Sequence, residues 1–417
     1  MKITKKILLI TLISFFSFLL GAQNITNFTT ADGLLSDFVE CIAVDIYDNI
    51  WFGTSVGVQM FDGNSWTTYT TSTFPSMPSD NIKVIRAMSN GDIWIGTDFG
   101  ASRFDGVDWI TYTTNTMQSI PLISNQIKSI DEDPNSGIVW IGTNLGVTPV
   151  DLGGLTNSLS IGVPDLHWSG VNATSFDSNG NVWFSSPLGG ITKYDGTNFT
   201  TFDTANGLLS QYATDLIIDS YDNKWVGTAS GMSVLDASNS SFTQYTRMYI
   251  MPPPDTLNPV VDLAIDSWGR IWTSIYVGYL SEGAIAYWNG NDWHDIHVSD
   301  GLAGQNVKGL SIDSKDNVWV ATTTGVSKIS AILSSCNEIL SSNIRVFPNP
   351  SNDIVYLSNN TKTIKKVRLY NSFGGLVYED NNSQKQYSIS VSSLAKGLYF
   401  INVFSDKEII SKKILVN

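Results

Sequence analysis

Few residue types in this 417-residue chain could do chemistry. It holds three His, two Cys, and 38 Asp/Glu against 24 Lys/Arg, a formal net charge of −14. Two Cys cannot build a disulfide framework or a four-thiolate zinc site. His294 and His297 fall near the outer rim of one repeat, and His167 lies far away in a linker, so a histidine metal site is disfavoured. Asp45, Asp133, Asp177, Asp219, Asp266 and Asp313 recur at one position of successive repeats, which raises calcium as the one candidate cofactor. Asp177-Ser178-Asn179-Gly180-Asn181 is like part of a calcium loop but lacks its closing Glu. The competing role is structural, because Asp at a strand-to-turn junction bonds nearby backbone N–H groups. The acidic balance (pI ≈ 4.5) argues against a nucleic-acid binder, which needs a basic surface.

The elements that must position these groups come from a repeat. Trp51, Trp94, Trp140, Trp183, Trp225, Trp272 and Trp319 recur about every 45 residues. A small residue stands two places on (Gly53, Gly96, Gly142, Ser185, Gly227, Ser274, Ala321). A Gly usually follows four places later, at Gly57, Gly100, Gly146, Gly189, Gly231 and Gly325. Seven copies at this period predict an all-β, seven-bladed propeller of four-stranded blades over 23–333. In the first copy, Asp48-Asn49 and Asp62-Gly63 supply turns between apolar runs. The seventh copy lacks a fourth strand. Residues 25–36 resemble 199–210, a fourth strand plus linker, so the N-terminal strand should close the ring.

The ends read differently. Lys2, Lys5 and Lys6 precede an apolar run, Ile7 to Leu20, as in a secretory signal peptide over 1–22. That run is short for a membrane span, and no other segment is long and apolar enough, so no transmembrane segment is expected in the mature form. Residues 344–417 hold 10 basic and 5 acidic residues, whereas 23–343 hold 11 basic and 33 acidic ones, a net of −22. A basic tail on an acidic body suggests a separate module.

Both parts resemble known families. Ile93-Trp94-Ile95-Gly96-Thr97, Phe104-Asp105-Gly106 and Trp109 resemble the two-component regulator propeller repeat, over about 300 residues. The third copy lacks the Phe-Asp-Gly and Trp elements, and the sixth has Trp272-Thr273-Ser274. Such repeats often form sensor regions of membrane kinases; no kinase segment follows here, so that role does not carry over. The repeats also resemble, more loosely, those of streptogramin lyases. The Asp-box turn of sialidases is missing.

In the tail, Pro348-Asn349-Pro350, Gly374, Gly397, Tyr399, Lys412 and Lys413 look like the C-terminal sorting domain of the type IX secretion system of Bacteroidota. The resemblance implies a small β-sandwich over 344–417, a partnership with the secretion machinery, and cleavage in the 334–343 linker. It also implies an outer-membrane surface or extracellular destination.

Three features remain for function. The first is a ring of equivalent positions at the start of each first strand: Glu40, Lys83, Lys128, Asn172, Thr214, Val261 and Lys308, with Phe38 and Tyr212 just before their members. Three lysines at a channel mouth of an acidic body would suit an anionic ligand group, or would pair with acidic neighbours across blades. The second is a set of loop aromatics and methionines: Phe74, Met77, Met117, Tyr249, Met251, Tyr276 and Tyr279. They suit sugar stacking, or fold back as local cores. The third is Cys41 with Cys336, either bridged across the ring closure or with Cys41 a small buried hydrophobe. The expected function is an exported module binding a glycan or protein. The alternatives are a polysaccharide lyase or hydrolase, and a structural or adhesion component of the cell surface.

Overall fold

A computed structural model describes 24–115, 121–151, 161–162, 166, 170–246, 259–276, 283–330 and, C-terminally, 344–347, 351, 353–359, 364–371, 376–382, 384, 386–404 and 409–416. The chain divides into two units, Met1–Ile332 and Leu333–Asn417. The signal peptide and the 334–343 linker lie outside the described residues.

The first unit is a seven-bladed propeller of four-stranded antiparallel sheets. Blade 1 runs Val39–Val44, Ile50–Thr54, Gly57–Phe61 and Trp66–Tyr69, in sequence order from axis to rim. Blades 2 to 6 repeat the plan. In blade 3, where the turn and Trp elements are missing from the sequence, the described part of the fourth strand is Ile161–Gly162. Blade 7 takes its fourth strand from the other end of the chain. Ile25–Phe28 pairs antiparallel with Gly325–Ile329, Ile25 opposite Ile329 and Phe28 opposite Val326.

The repeated tryptophans are packing residues. Each second strand is buried throughout. In blades 1, 2, 4 and 5 its Trp stacks on an aromatic of the same blade's outer strand: Trp51 on Tyr69, Trp94 on Tyr112, Trp183 on Phe202, Trp225 on Tyr245. In blade 7 the partner is Phe28, 5.5 Å away, so the closing strand completes the same motif. The small residue two places on has a physical reason. A Cβ on Gly96 would meet Ile127 Cγ2 of blade 3 at 2.5 Å, and one on Gly227 would meet Val260 Cγ1 of blade 6 at 2.5 Å. The next blade needs that space.

In blade 4 the turn differs from the repeat frame by one residue. Gly190, not Gly189, opens the third strand, with φ +70 and its would-be Cβ directed at the Phe202 carbonyl. An extra residue in Pro187-Leu188-Gly189 causes the shift.

The recurrent aspartates cap turns. Asp45 accepts from Tyr47 N and Asn49 N at 2.9 Å, and from Trp51 Nε1 at 2.9 Å. Asp177, Asp219, Asp266 and Asp313 hold Trp183, Trp225, Trp272 and Trp319 alike. Asp133 instead bonds Asn135 N and Ser136, which leaves the buried Trp140 Nε1 without a partner. These contacts supply the structural role for the aspartates.

Neighbouring turns are also stapled. Ser314 donates to Asp48, Ser267 to Asp316, Ser178 to Asp222 and Ser89 to Glu132. The first of these joins blade 7 to blade 1 across the closure.

The second unit has two antiparallel sheets. One orders Ile344–Phe347, Ile354–Asn359 and Gln386–Ser390; the other orders Leu376–Asp380, Lys366–Asn371, Gly397–Phe404 and Ile409–Val416. Their buried residues, among them Val355, Leu369, Ile389, Ile401 and Ile414, form one cluster.

Candidate functional site

Linkers between blades bond the turns that join second to third strands: Asn144 N to Gln126 O, Ala229 N to Tyr212 O, Tyr276 N to Pro259 O, Thr323 N to Asn306 O. Linkers and these turns therefore share one end of the propeller, the upper face. The turns between first and second strands lie at the other end, the lower face.

At the centre of the upper face, a cavity of about 320 Å³ is lined by Glu40, Lys83, Lys128, Asn172, Thr214, Val261 and Lys308 together. The ring read from the repeat thus comes together around one space. Its three lysines are unlike one another. Lys308 Nζ lies 3.6 Å from Glu40 and sits over the rings of Phe38 (5.2 Å) and Tyr276 (5.6 Å). This is the pairing alternative, reinforced by cation–π attraction. Lys83 and Lys128 take part in no ion pair among the described residues, and Lys128 is exposed. Asn172 Nδ2 donates to Ala213 O and Thr214 Oγ1 to Val260 O, so both also brace the next blade. Tyr212 is exposed on a linker of the same face.

Below this cavity is a neck that sequence reading missed. Arg86 Nε lies 3.6 Å from Asp131 Oδ1, with Asp215 and Asp262 also near its charge. Beneath it a second cavity of about 500 Å³ is lined by Arg86, Asp131, Asp215 and Asp262, with apolar first-strand residues. The carboxylates also tie blades: Asp131 accepts from Thr174 N (3.0 Å), Asp215 from Leu263 N (2.7 Å) and Asp262 from Leu310 N (2.8 Å). Burial, then repulsion from Asp262, push the Asp215 carboxyl well above the ordinary range, against the pull of Arg86. Burial likewise raises Asp131 despite its pairing. Burial pulls the Arg86 guanidinium down, but the three carboxylates outweigh it.

A pH dependence follows. Between the ordinary Asp value of 3.8 and the raised value, native Asp215 holds a proton that the unfolded chain has released. Its stabilising contribution is full below that window and is lost as pH rises through it. Wild type should therefore lose melting temperature relative to Asp215→Asn as pH rises from 4 to 8. Taking the difference between the two curves cancels groups that titrate the opposite way. Parallel melting profiles would refute the assignment.

The other sequence-derived candidates separate. Phe74 and Met77 pack into the cluster around Tyr69, Phe104 and Trp109, so that loop folds back as a local core. Tyr249, Tyr279, Met117, Met251 and His167 lie outside the described residues. His294 stacks on Tyr287 in the outer strand of blade 6, and His297 pairs with Asp295, both away from the channel. Cys41 is a free thiol, its sulfur facing Gly53, and burial pushes its pKa up. Cys336, the other half of the bridge considered above, lies outside the described residues.

In the tail, Gly397 (φ +150) opens a strand, and Tyr399 packs in the core and donates its hydroxyl to Ala395 O at 2.8 Å. Lys412 and Lys413 sit in the last strand, opposite Ile401 and Phe400. Pro348, Asn349, Pro350 and Gly374 lie outside the described residues. Residues 345–417 match the family model of the secretion system C-terminal sorting domain. The tail is a type IX sorting domain. The propeller it follows is thus a secreted module, and the tail implies interaction with the secretion machinery.

No curated protein matches the chain in sequence. Solved structures match in fold. The extracellular domain of the hybrid two component system BT3049 from B. thetaiotaomicron has a TM-score of 0.62 at 16% identity, with 95% of this chain and 58% of that one covered. PorZ, a surface component of the type-IX secretion system of Porphyromonas gingivalis, gives 0.54 at 16% identity over 92% and 60%. A virginiamycin B lyase from Staphylococcus aureus gives 0.57 at 14% identity over 74% and 99%. The chain thus spans under two thirds of the BT3049 and PorZ chains. These likenesses establish the propeller fold.

Proposed function

We propose that this secreted propeller is a binding module whose upper cavity takes an anionic group of a glycan or protein ligand. A signal peptide over 1–22 carries the chain through the inner membrane, and the tail then delivers it to the outer-membrane surface or beyond. The observation that carries the reading is the inequality of the three ring lysines. Lys308 is neutralised by Glu40, whereas Lys83 and Lys128, on adjacent blades, leave two positive charges on the cavity wall. In a body of net charge −22 such charges focus an anion toward one spot. Phe38, Tyr276 and Tyr212 add an aromatic rim for a sugar or peptide face.

A glycan array probed with the full chain tests this. Lys83→Ala with Lys128→Ala should lower binding to acidic glycans by tenfold or more, in line with about 1.4 kcal/mol per factor of ten. Undiminished binding by the double variant removes the proposal.

A further inference from the structure

The lower face carries a second feature, visible only when the seven turns are superposed in register. Two positions beyond the residue that opens each turn stand Tyr47, Asn90, Asn135, Asn179, Tyr221, Trp268 and Lys315, in blades 1 to 7. In six blades the backbone N–H of this residue donates to the capping Asp, so the local geometry is the same. Blades 2, 3 and 4 carry Asn there. Blades 5, 6, 7 and 1, contiguous around the closed ring, carry Tyr221, Trp268, Lys315 and Tyr47.

The turn itself needs no large ring at this place, as the three Asn show. Yet Tyr47 is 76% exposed, Tyr221 71% and Trp268 47%, with exposed Ile46 beside Tyr47. Two Tyr rings held largely in water, with a half-exposed Trp at the same register of the same arc of blades, point to an occupant. The turns that hold them are pinned. Asp48, next to Tyr47, accepts from Ser314 of blade 7; Asp316, next to Lys315, from Ser267 of blade 6; Asp222, next to Tyr221, from Ser178 of blade 4. Rings on stapled turns lose little freedom on binding.

Charge selects the occupant. Each of Tyr47, Tyr221 and Lys315 is followed directly by an Asp, so carboxylates rim the arc. They repel acidic glycans, nucleic acid and anionic lipid. A neutral polysaccharide meets no such penalty: its apolar faces stack on the rings and its hydroxyls donate to carboxylates and Asn side chains. We propose that this aromatic arc is a separate binding surface for a neutral polysaccharide laid across the lower face, distinct from the upper cavity.

Native gels cast with galactomannan, xyloglucan or hydroxyethylcellulose, and with alginate as the acidic comparison, test it on the full chain. At least one neutral polymer should retard the protein. Tyr47→Asn, Tyr221→Asn and Trp268→Asn combined should weaken retardation tenfold or more, while the Lys83→Ala, Lys128→Ala variant keeps it. That second arm separates this surface from the upper cavity. Each change installs the residue that three other blades already carry, so melting should shift little; the single Trp268→Asn variant, with a partial loss, gives an independent reading. Absence of retardation in every neutral polymer, equal retardation of the triple variant, or retardation confined to alginate overturns the proposal. So does a triple variant that loses only binding to phosphatidylcholine vesicles, which would make the arc a lipid contact.

Discussion

Deleting residues 24–31 should lower the melting temperature by roughly 10 °C or more and promote aggregation. The deletion removes the four-residue strand Ile25–Phe28 and its pairing with Gly325–Ile329. It also removes the Phe28 ring, which stacks on Trp319 and contacts Phe61 and Trp66 of blade 1. Asn27 is lost too; it donates to Gly301 O and accepts from Ser327. Four or five hydrogen bonds at ~1 kcal/mol each and a large aromatic side chain at ~2–3 kcal/mol sum to about 6–8 kcal/mol. That is a large share of the ~5–15 kcal/mol that holds a typical domain. The strand Gly325–Ile329 would become an open sheet edge, which templates association. Phe28→Ala alone, which keeps the backbone pairing, should cost less. Calorimetry or circular dichroism decides; an unchanged midpoint on deletion would mean that the ring does not depend on this closure.

Removing the Arg86 side chain should have the second largest effect. Arg86→Ala leaves Asp131, Asp215 and Asp262 facing one another at the neck without a countercharge. Breaking a dry buried pair costs ~3–5 kcal/mol. Arg86 keeps 37% of its side-chain surface on the water of the two cavities, so screening reduces the figure to about 2 kcal/mol. The loss should be greatest at neutral and alkaline pH and shrink toward pH 4, where the raised carboxyls hold protons. Adding Asp215→Asn to Arg86→Ala should restore part of the stability. Urea denaturation of the two variants measures this. A loss that is the same at both pH extremes would show that Arg86 matters as packing and not as charge.

The neck and the ring above it show where reading the sequence succeeded and failed. Glu40, Lys83, Lys128, Asn172, Thr214, Val261 and Lys308 were legible as one ring because each sits at nearly the same offset from a repeated Trp, with Lys128 one residue further away than the rest. Arg86, Asp131, Asp215 and Asp262 were not, although Arg86, Asp215 and Asp262 are each the one charge of their strand. The first strands of blades 3, 5 and 6 shift register between Ile127 and Ser129, Ala213 and Asp215, and Val260 and Asp262. A shift of one residue exchanges the faces of a strand, so simple alternation gives no warning of which side chains reach the axis. The fate of Lys308 was equally hidden. Its partners Glu40 and Phe38 lie about 270 residues earlier in the chain, and only ring closure brings them within reach.

By itself, then, the sequence determined the architecture: the Trp period set seven blades, the orphan strand at 25–28 set the closure, and the tail carried its own address. These are local or periodic signals, repeated often enough to be read without coordinates. Which charges face one another was decided only by the tertiary structure. Bulges set which face of each first strand meets the axis, and closing the ring makes neighbours of residues from opposite ends of the chain. The three exposed rings of the lower face belong to the same class. Tyr47, Tyr221 and Trp268 read as unremarkable turn residues until the ring places blades 5, 6, 7 and 1 side by side.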